Sequence, residues 1–149
     1  EYEIYDDFIL TAAVSYQKGR QRVSAGSAET PFDGAVPLTA VLGGRYLIPE
    51  WNLETELVAT LAHGVTERSD PDAFKPGGYA VVDAYARWKP TRNVDIDFGI
   101  ENIFDRRYFP NTISGTILNT VSSAVADANN PEMQVAPGRT FKLGATVRF

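Results

Sequence analysis

Cysteine is absent from this chain, and histidine and methionine occur once each among its 149 residues. Without cysteine there is no disulfide and no thiolate metal site. With His63 as the sole imidazole, a multi-histidine metal centre is excluded. No apolar run approaches the roughly 18 residues that a membrane helix needs. Basic character is missing too: the net charge is −5 and the pI about 4.8, which argues against nucleic acid as a partner. These absences leave one membrane architecture open. In a transmembrane β-barrel, lipid-facing and lumen-facing residues alternate, so the mean composition stays polar. The opening EYEIYDDFILTAAV has no initiator methionine and no basic stretch before an apolar core. It reads as the middle of a longer polypeptide, a fragment or a processed piece.

What the chain does have is alternation with period two, the mark of strands with two unlike faces. The runs are Phe8, Leu10, Ala12, Val14 and Tyr16; Leu38 to Ile48 at even positions; Leu53, Leu57, Ala59 and Leu61; Val82, Ala84, Ala86 and Trp88; Val94, Ile96, Phe98 and Ile100; and Phe141, Leu143, Ala145, Val147 and Phe149. Tyr2 to Ile4 fits the tail of an earlier strand. Strands of about 10–12 residues are expected, near what a tilted strand needs to cross a bilayer. The connections alternate in length. Turns at 5–7, 49–52 and 90–93 are short, whereas 20–37, 65–78 and 105–138 are long and rich in Gly, Pro, Ser, Asn and Asp. Short turns at one end and long loops at the other is the build of outer-membrane barrels.

Charge separates the faces. Arg45, Glu54, Glu56, Asp83, Arg87, Asp95, Asp97, Glu101, Lys142 and Arg148 all fall opposite the apolar positions. They are expected to form a lumenal charge ladder, with Arg45 opposite Glu56, Arg87 facing Asp95 or Asp97, and Arg148 approaching Asp95. The other face is nearly free of ionised groups, and no helix or second sheet is visible to cover it. In lipid it needs no cover. Aromatics gather near strand ends, with Tyr46, Trp51 and Trp88 by the short turns. Tyr16, Tyr79, Phe104 and Tyr108 stand by the long loops, as in two interfacial girdles.

Catalysis finds no support. Asp95 and Asp97 share a face with basic partners and belong to the ladder. Ser122 and Ser123 have no histidine near in sequence, and the loop glycines lack a strand-to-helix phosphate cradle. Parity from Leu61 puts His63 on the apolar side near the long-loop end, an interfacial histidine rather than a haem ligand; no metal site is expected. Arg106, Arg107, Tyr108 and Phe109 open the longest connection. They are candidates for contact with an anionic ligand; otherwise they anchor the connection to the rim. Arg139 closes the same connection and is expected to pair with Asp105 across its base. A connection this long and polar is expected to overhang the barrel mouth and to hold or gate a ligand.

The stretch GGYAVVDAYARWKPTRNVDIDFGIENIFDRRYFP, followed by APGRTFKLGATVRF, resembles the C-terminal end of a TonB-dependent outer-membrane receptor. The residues that carry the resemblance are Gly78, Tyr79 and Asp83; Asn102, Ile103, Phe104, Asp105, Arg106 and Tyr108; and Pro137, Gly138, Arg139 and Phe141. It is specific over 77–149; over 1–76 only the strand and loop rhythm matches. The resemblance implies an all-β, antiparallel, up-and-down transmembrane barrel segment. It would supply about six strands of a barrel of about 22 strands around a plug, a size class with an occluded lumen. Residues 1–149 would then be the C-terminal part of the barrel domain, with the plug domain and the TonB-contact segment (the TonB box) outside this chain. Six strands cannot close such a barrel, so the remaining barrel strands are required partners.

The resemblance also implies a Gram-negative outer-membrane location, with the lipid bilayer, the plug and the TonB–ExbB–ExbD energy-coupling complex as partners. It implies import of an iron-bearing nutrient, with haem or a ferric siderophore as the transported ligand and no cofactor bound by this segment. The APGRTFKLG ending and the long last loop look more like the haem or haemoprotein branch. The end of a passive porin-type barrel is the alternative. The closing KLGATVRF fits a C-terminal signal read by the barrel-assembly machinery, carried by Lys142, Gly144, Val147 and Phe149.

Overall fold

Strands whose two faces differ so strongly pair in one register only, because a slip of one residue would carry charge onto the apolar face. The computed structural model describes residues 2–5, 7–72, 74–110 and 134–149. It contains one seven-stranded sheet in which every strand lies beside its sequence neighbours and every pairing is antiparallel. The strands are β1 (Tyr2–Tyr5), β2 (Phe8–Ser15), β5 (Thr39–Ile48), β6 (Leu53–Ala62), β7 (Tyr79–Thr91), β8 (Val94–Glu101) and β9 (Thr140–Val147). Two short strands, β3 (Arg20–Gln21) and β4 (Thr30–Pro31), form a separate small hairpin inside the first long connection. The expected up-and-down all-β sheet is therefore present, with Tyr2–Tyr5 as a strand of its own.

The register carries the alternation unbroken across the sheet. Leu42 faces Ala12 on one side and Ala59 on the other; Ala84 faces Leu57 and Ile100; Phe98 faces Ala86 and Leu143. The resulting apolar face is uncovered: Leu57 is 57% exposed and Leu143 79%. Buried apolar side chains among the described residues are few, and Ala62, Val81 and Pro76 stand near the long-loop end. A sheet with one bare apolar face and no packed second layer lacks the usual core of a water-soluble domain.

Three expectations change. Strand lengths run from eight to thirteen residues in the full-length strands, not a uniform 10–12. The turn expected over 90–93 is shorter, because β7 continues through Pro90 to Thr91 and pairs there with Val94. The register shifts between Trp88 and Thr91. Pro90 has no N–H to give a ladder, and an irregularity at a strand end is where such a residue is tolerated. Tyr79 and Tyr108 also leave the expected outer girdle. Tyr79 shares parity with Asp83, so it lies on the charged face, where its ring stacks on that of Tyr108 at 4.3 Å. The remaining girdle residues stay exposed, Trp51 at 66% and Tyr16 at 65%, and the Trp88 indole N–H donates to Trp51 O at 3.1 Å. The 49–52 turn is a single 3-10 turn, Pro49–Trp51, closed by Asn52 in the left-handed region at φ 48°.

Candidate functional site

The charged face is built from cross-strand pairs. Arg45 lies opposite Glu56, and its guanidinium meets Glu54 at 3.3 Å and Glu56 at 3.7 Å. Arg87 lies opposite Asp97 and donates to it at 2.7 Å. Arg148 reaches Asp95 at 2.6 Å, and Lys142 pairs with Glu101. Among the described residues Asp83 has no cation partner of this kind; its carboxylate accepts the Asn102 backbone N–H at 2.7 Å. Most of these pairs lie in the short-turn half of the strands. Asp95, at 8% exposure, is the one member that is buried as a residue. The arrangement neutralises charge locally and leaves a mixed-sign wall rather than a strong field of one sign.

At the long-loop end a second cluster forms around the N-I-F-D segment. Asn102 is 4% exposed and stands at φ 52°, with Asp105 at φ 53°. Asparagine and aspartate visit this left-handed region more readily than most residues. The Asn102 amide accepts from Arg106 N–H at 2.8 Å and donates to Arg106 O at 2.8 Å and Pro137 O at 3.3 Å. Asp105 accepts the Arg139 backbone N–H at 2.8 Å. The expected link between Asp105 and Arg139 therefore exists, made through the main chain of Arg139.

Of the four ligand-contact candidates, Tyr108 packs on Tyr79, and Phe109 meets Phe74 edge-on at 4.9 Å. Burial is the main cause that pushes the Tyr108 hydroxyl above its ordinary pKa. Arg106 and Arg107 are exposed. The two rings thus pack within the rim; residues 111–133, the middle of the connection expected to overhang the mouth, lie outside the described residues.

The other two long connections are tied to each other. Asp33 accepts from Ser69 N–H at 2.8 Å and from the Ser69 hydroxyl, and the buried Arg68 donates to Asp33 O at 2.9 Å. Beside them runs a groove of about 340 Å³ lined by Tyr16, Phe32, Leu38, His63 and the Lys18–Glu67 pair, among others. Tyr16, Leu38 and His63 share the apolar parity, as expected for His63, and its Nδ1 lies 2.9 Å from Gly64 O. Among the described residues, no three His, Asp or Glu side chains converge as a metal ion would require. Sequence reasoning missed Arg68 and Asp33, and it marked Asn102 as a motif residue without giving it a role. The signal for that role was an asparagine directly after the strand, a position that suits left-handed backbone. Lys142, Gly144 and Val147 sit in β9, where Gly144 faces Asp97 and Val147 faces Val94.

The model of the family described as TonB dependent receptor-like, beta-barrel, matches residues 1–103. The chain belongs to this family. TonB-dependent receptors are outer-membrane receptors and transporters rather than enzymes; they carry plug domains and work with TonB. The match covers the half for which the sequence showed only rhythm, and it overlaps the motif-bearing half over 77–103.

A hemoglobin and hemoglobin-haptoglobin-binding protein of Haemophilus ducreyi is 25% identical over 97% of this chain and 17% of its own length. The heme transporter BhuA of Brucella abortus is 26% identical over 68% of this chain and 15% of its own length. The chain thus spans about a sixth of the curated relatives it matches. Among solved structures, the copper transporter OprC superposes with a TM-score of 0.74 at 21% identity, covering 99% of this chain and 22% of that one. That likeness shows the fold alone and leaves the cargo open.

Proposed function

We propose that this chain is the C-terminal part of the barrel of an outer-membrane receptor that imports an iron-bearing nutrient by TonB-dependent transport. Haem or a haemoprotein is favoured over a ferric siderophore. The observation that carries this reading is the two-faced sheet: the ten ladder charges stand in pairs or hydrogen bonds on one face, and the opposite face is bare and apolar. Such a sheet suits a wall between lipid and a hydrated lumen that holds a plug. The haem preference draws on the relatives, whose names record hemoglobin binding and heme transport. Lys142, Gly144, Val147 and Phe149 would serve as the assembly signal read by the barrel-assembly machinery.

The test is growth of a siderophore-deficient host that makes its own haem and carries the full receptor, with haemin, haemoglobin or a ferric siderophore as sole iron source. The reading expects growth on haemin or haemoglobin that vanishes when TonB is removed. Growth on the siderophore alone would overturn the haem assignment. Uptake that is indifferent to TonB would support the passive-barrel alternative. Removing residues 112–130 from the same receptor is expected to leave barrel assembly intact and to weaken growth at limiting nutrient. Unchanged growth would refute a ligand role for that stretch.

A further inference from the structure

The long connection after β8 leaves and returns at one point, and a single buried side chain touches both of its ends. Asn102 holds Arg106 on the outgoing flank through two hydrogen bonds and Pro137 on the returning flank through a third. Its own backbone N–H is fixed to the Asp83 carboxylate of β7, and Ile103 N–H donates to Val82 O at 2.9 Å. Asp105 repeats the device one step outward. Its N–H donates to Asn102 O at 2.8 Å, and its carboxylate accepts from Arg139 N–H, where β9 begins. The approach is close enough that a Cβ on Gly138 would stand 2.7 Å from Asp105 Oδ1. Farther out, Ala136 N–H donates to Tyr108 O at 2.9 Å.

None of these bonds belongs to the β8–β9 ladder, which runs from Val94–Val147 to Glu101–Thr140 and closes without them. A sheet does not need a buried, left-handed asparagine at this corner in order to pair its strands. An unpaired buried amide would be costly, so the site is built around the two flanks being present together.

We propose that Asn102 is the positioning residue of this connection, docking both flanks as one unit on β7–β9 so that their direction is set by the barrel rather than by the connection. Asp105 is its partner in that clasp. The consequence for nutrient capture rests on the import reading above; the docking does not.

The experiment uses the full receptor with nitroxide labels at R92C, in the short turn at the far end of the sheet, and Q134C, on the returning flank. Pulsed electron-electron distances are measured in outer membranes. The informative variant is N102G, because glycine accepts φ 52° without strain and removes the side-chain bonds alone. Loss of these three bonds is expected to lower the docked-to-undocked ratio by at least about 5- to 30-fold and to broaden the distance distribution. Barrel assembly, read by heat-modifiable gel mobility, stays normal. D105A is expected to broaden it likewise, whereas D105N, which keeps the accepting oxygen for Arg139 N–H, restores the narrow distribution.

A narrow distribution in assembled N102G overturns the proposal. Should N102G fail to assemble, equal widths in D105A and D105N overturn it instead. Haemin binding is measured on the same samples. Broadened distances with unchanged haemin affinity would refute the role in capture. A parent receptor that binds no haemin would refute the haem reading and leave the distances to judge the clasp.

Discussion

An arginine at position 57 is the sharpest probe of the two-face assignment. Leu57 stands near the middle of β6, which is ten residues long. At about 3.3 Å per residue and a tilt of about 45°, it lies roughly 9 Å in depth from Leu53 and roughly 12 Å from Ala62. That is close to the centre of an apolar band about 25 Å tall. Leu57 is 57% exposed, and its cross-strand neighbours are Gly44 and Ala84. Neither can offer a polar group, so a guanidinium placed there has only hydrocarbon around it. Leu57→Arg in the full receptor is expected to cost about 2–4 kcal/mol. Thr60→Arg sits three residues away on the charged face, with Asp83 diagonal to it across the β6–β7 pairing. It is expected to cost under about 1 kcal/mol, as an ordinary surface change does. The assay is a reversible urea titration of the receptor in lipid bilayers, followed by tryptophan fluorescence and protection from protease. Equal costs for the two arginines would refute the assignment of lipid to the Leu57 face, whatever the absolute values.

Two further pairs of variants test the wall and the rim. Asp95→Ala removes a charge-assisted bond made at a carboxylate whose side chain is 11% exposed, although its partner Arg148 is 64% exposed, whereas the Arg87–Asp97 pair is about half exposed on both sides. The first is expected to cost about 1.5–3 kcal/mol and Asp97→Ala no more than about 1 kcal/mol, so a reversed order in the same titration refutes the burial argument. At the base of the 65–78 connection, a Cβ on Gly78 would stand 2.9 Å from Ala62 O and 3.1 Å from Gly64 N, while one on Gly77 would meet nothing within 4 Å. Gly78→Ala is therefore expected to lower the unfolding free energy by about 1–3 kcal/mol, and Gly77→Ala to change it by less than about 0.5 kcal/mol; similar midpoints for the two would show that the backbones can separate there at little cost.

The parts of this molecule that were legible in its sequence are those ruled by a period and a short turn. Arg45 could be placed against Glu56 because a turn of a few residues leaves one register that keeps every charge on one face, and the structure pairs them so. The same argument placed Arg87 against Asp95 or Asp97, and the structure pairs it with Asp97. It missed the last step of the 90–93 turn, because Pro90 reads as a turn residue, yet at the end of a strand its missing N–H costs the ladder little. Tyr79 was misplaced for a related reason: an aromatic near a strand end suggests a girdle, whereas parity with Asp83 decides its face.

The rim obeys no period. Arg68 finds Asp33 across 35 positions, and Asn102 finds Pro137 across 35. Nothing local announces either partner. The flanks of the last connection show why the difference matters for function. A wall needs only that each residue fall on the correct side, a demand that alternation can encode and that tolerates many sequences. A rim that carries ligand-facing segments must also give each one a fixed origin and direction. Turn chemistry at one residue can supply that only if distant backbone is brought to it. Asn102 combines both requirements: its left-handed backbone ends β8, and its amide spans the two flanks. Four candidates chosen for their charge and aromaticity, Arg106 to Phe109, thus stand directly beside the residue that positions them, and Tyr108 and Phe109 are held by their rings against Tyr79 and Phe74. Anchoring and contact compete for the same side chains at such a corner. Here the rings of Tyr108 and Phe109 are engaged in contacts with Tyr79 and Phe74, whereas Arg106 and Arg107 stand exposed.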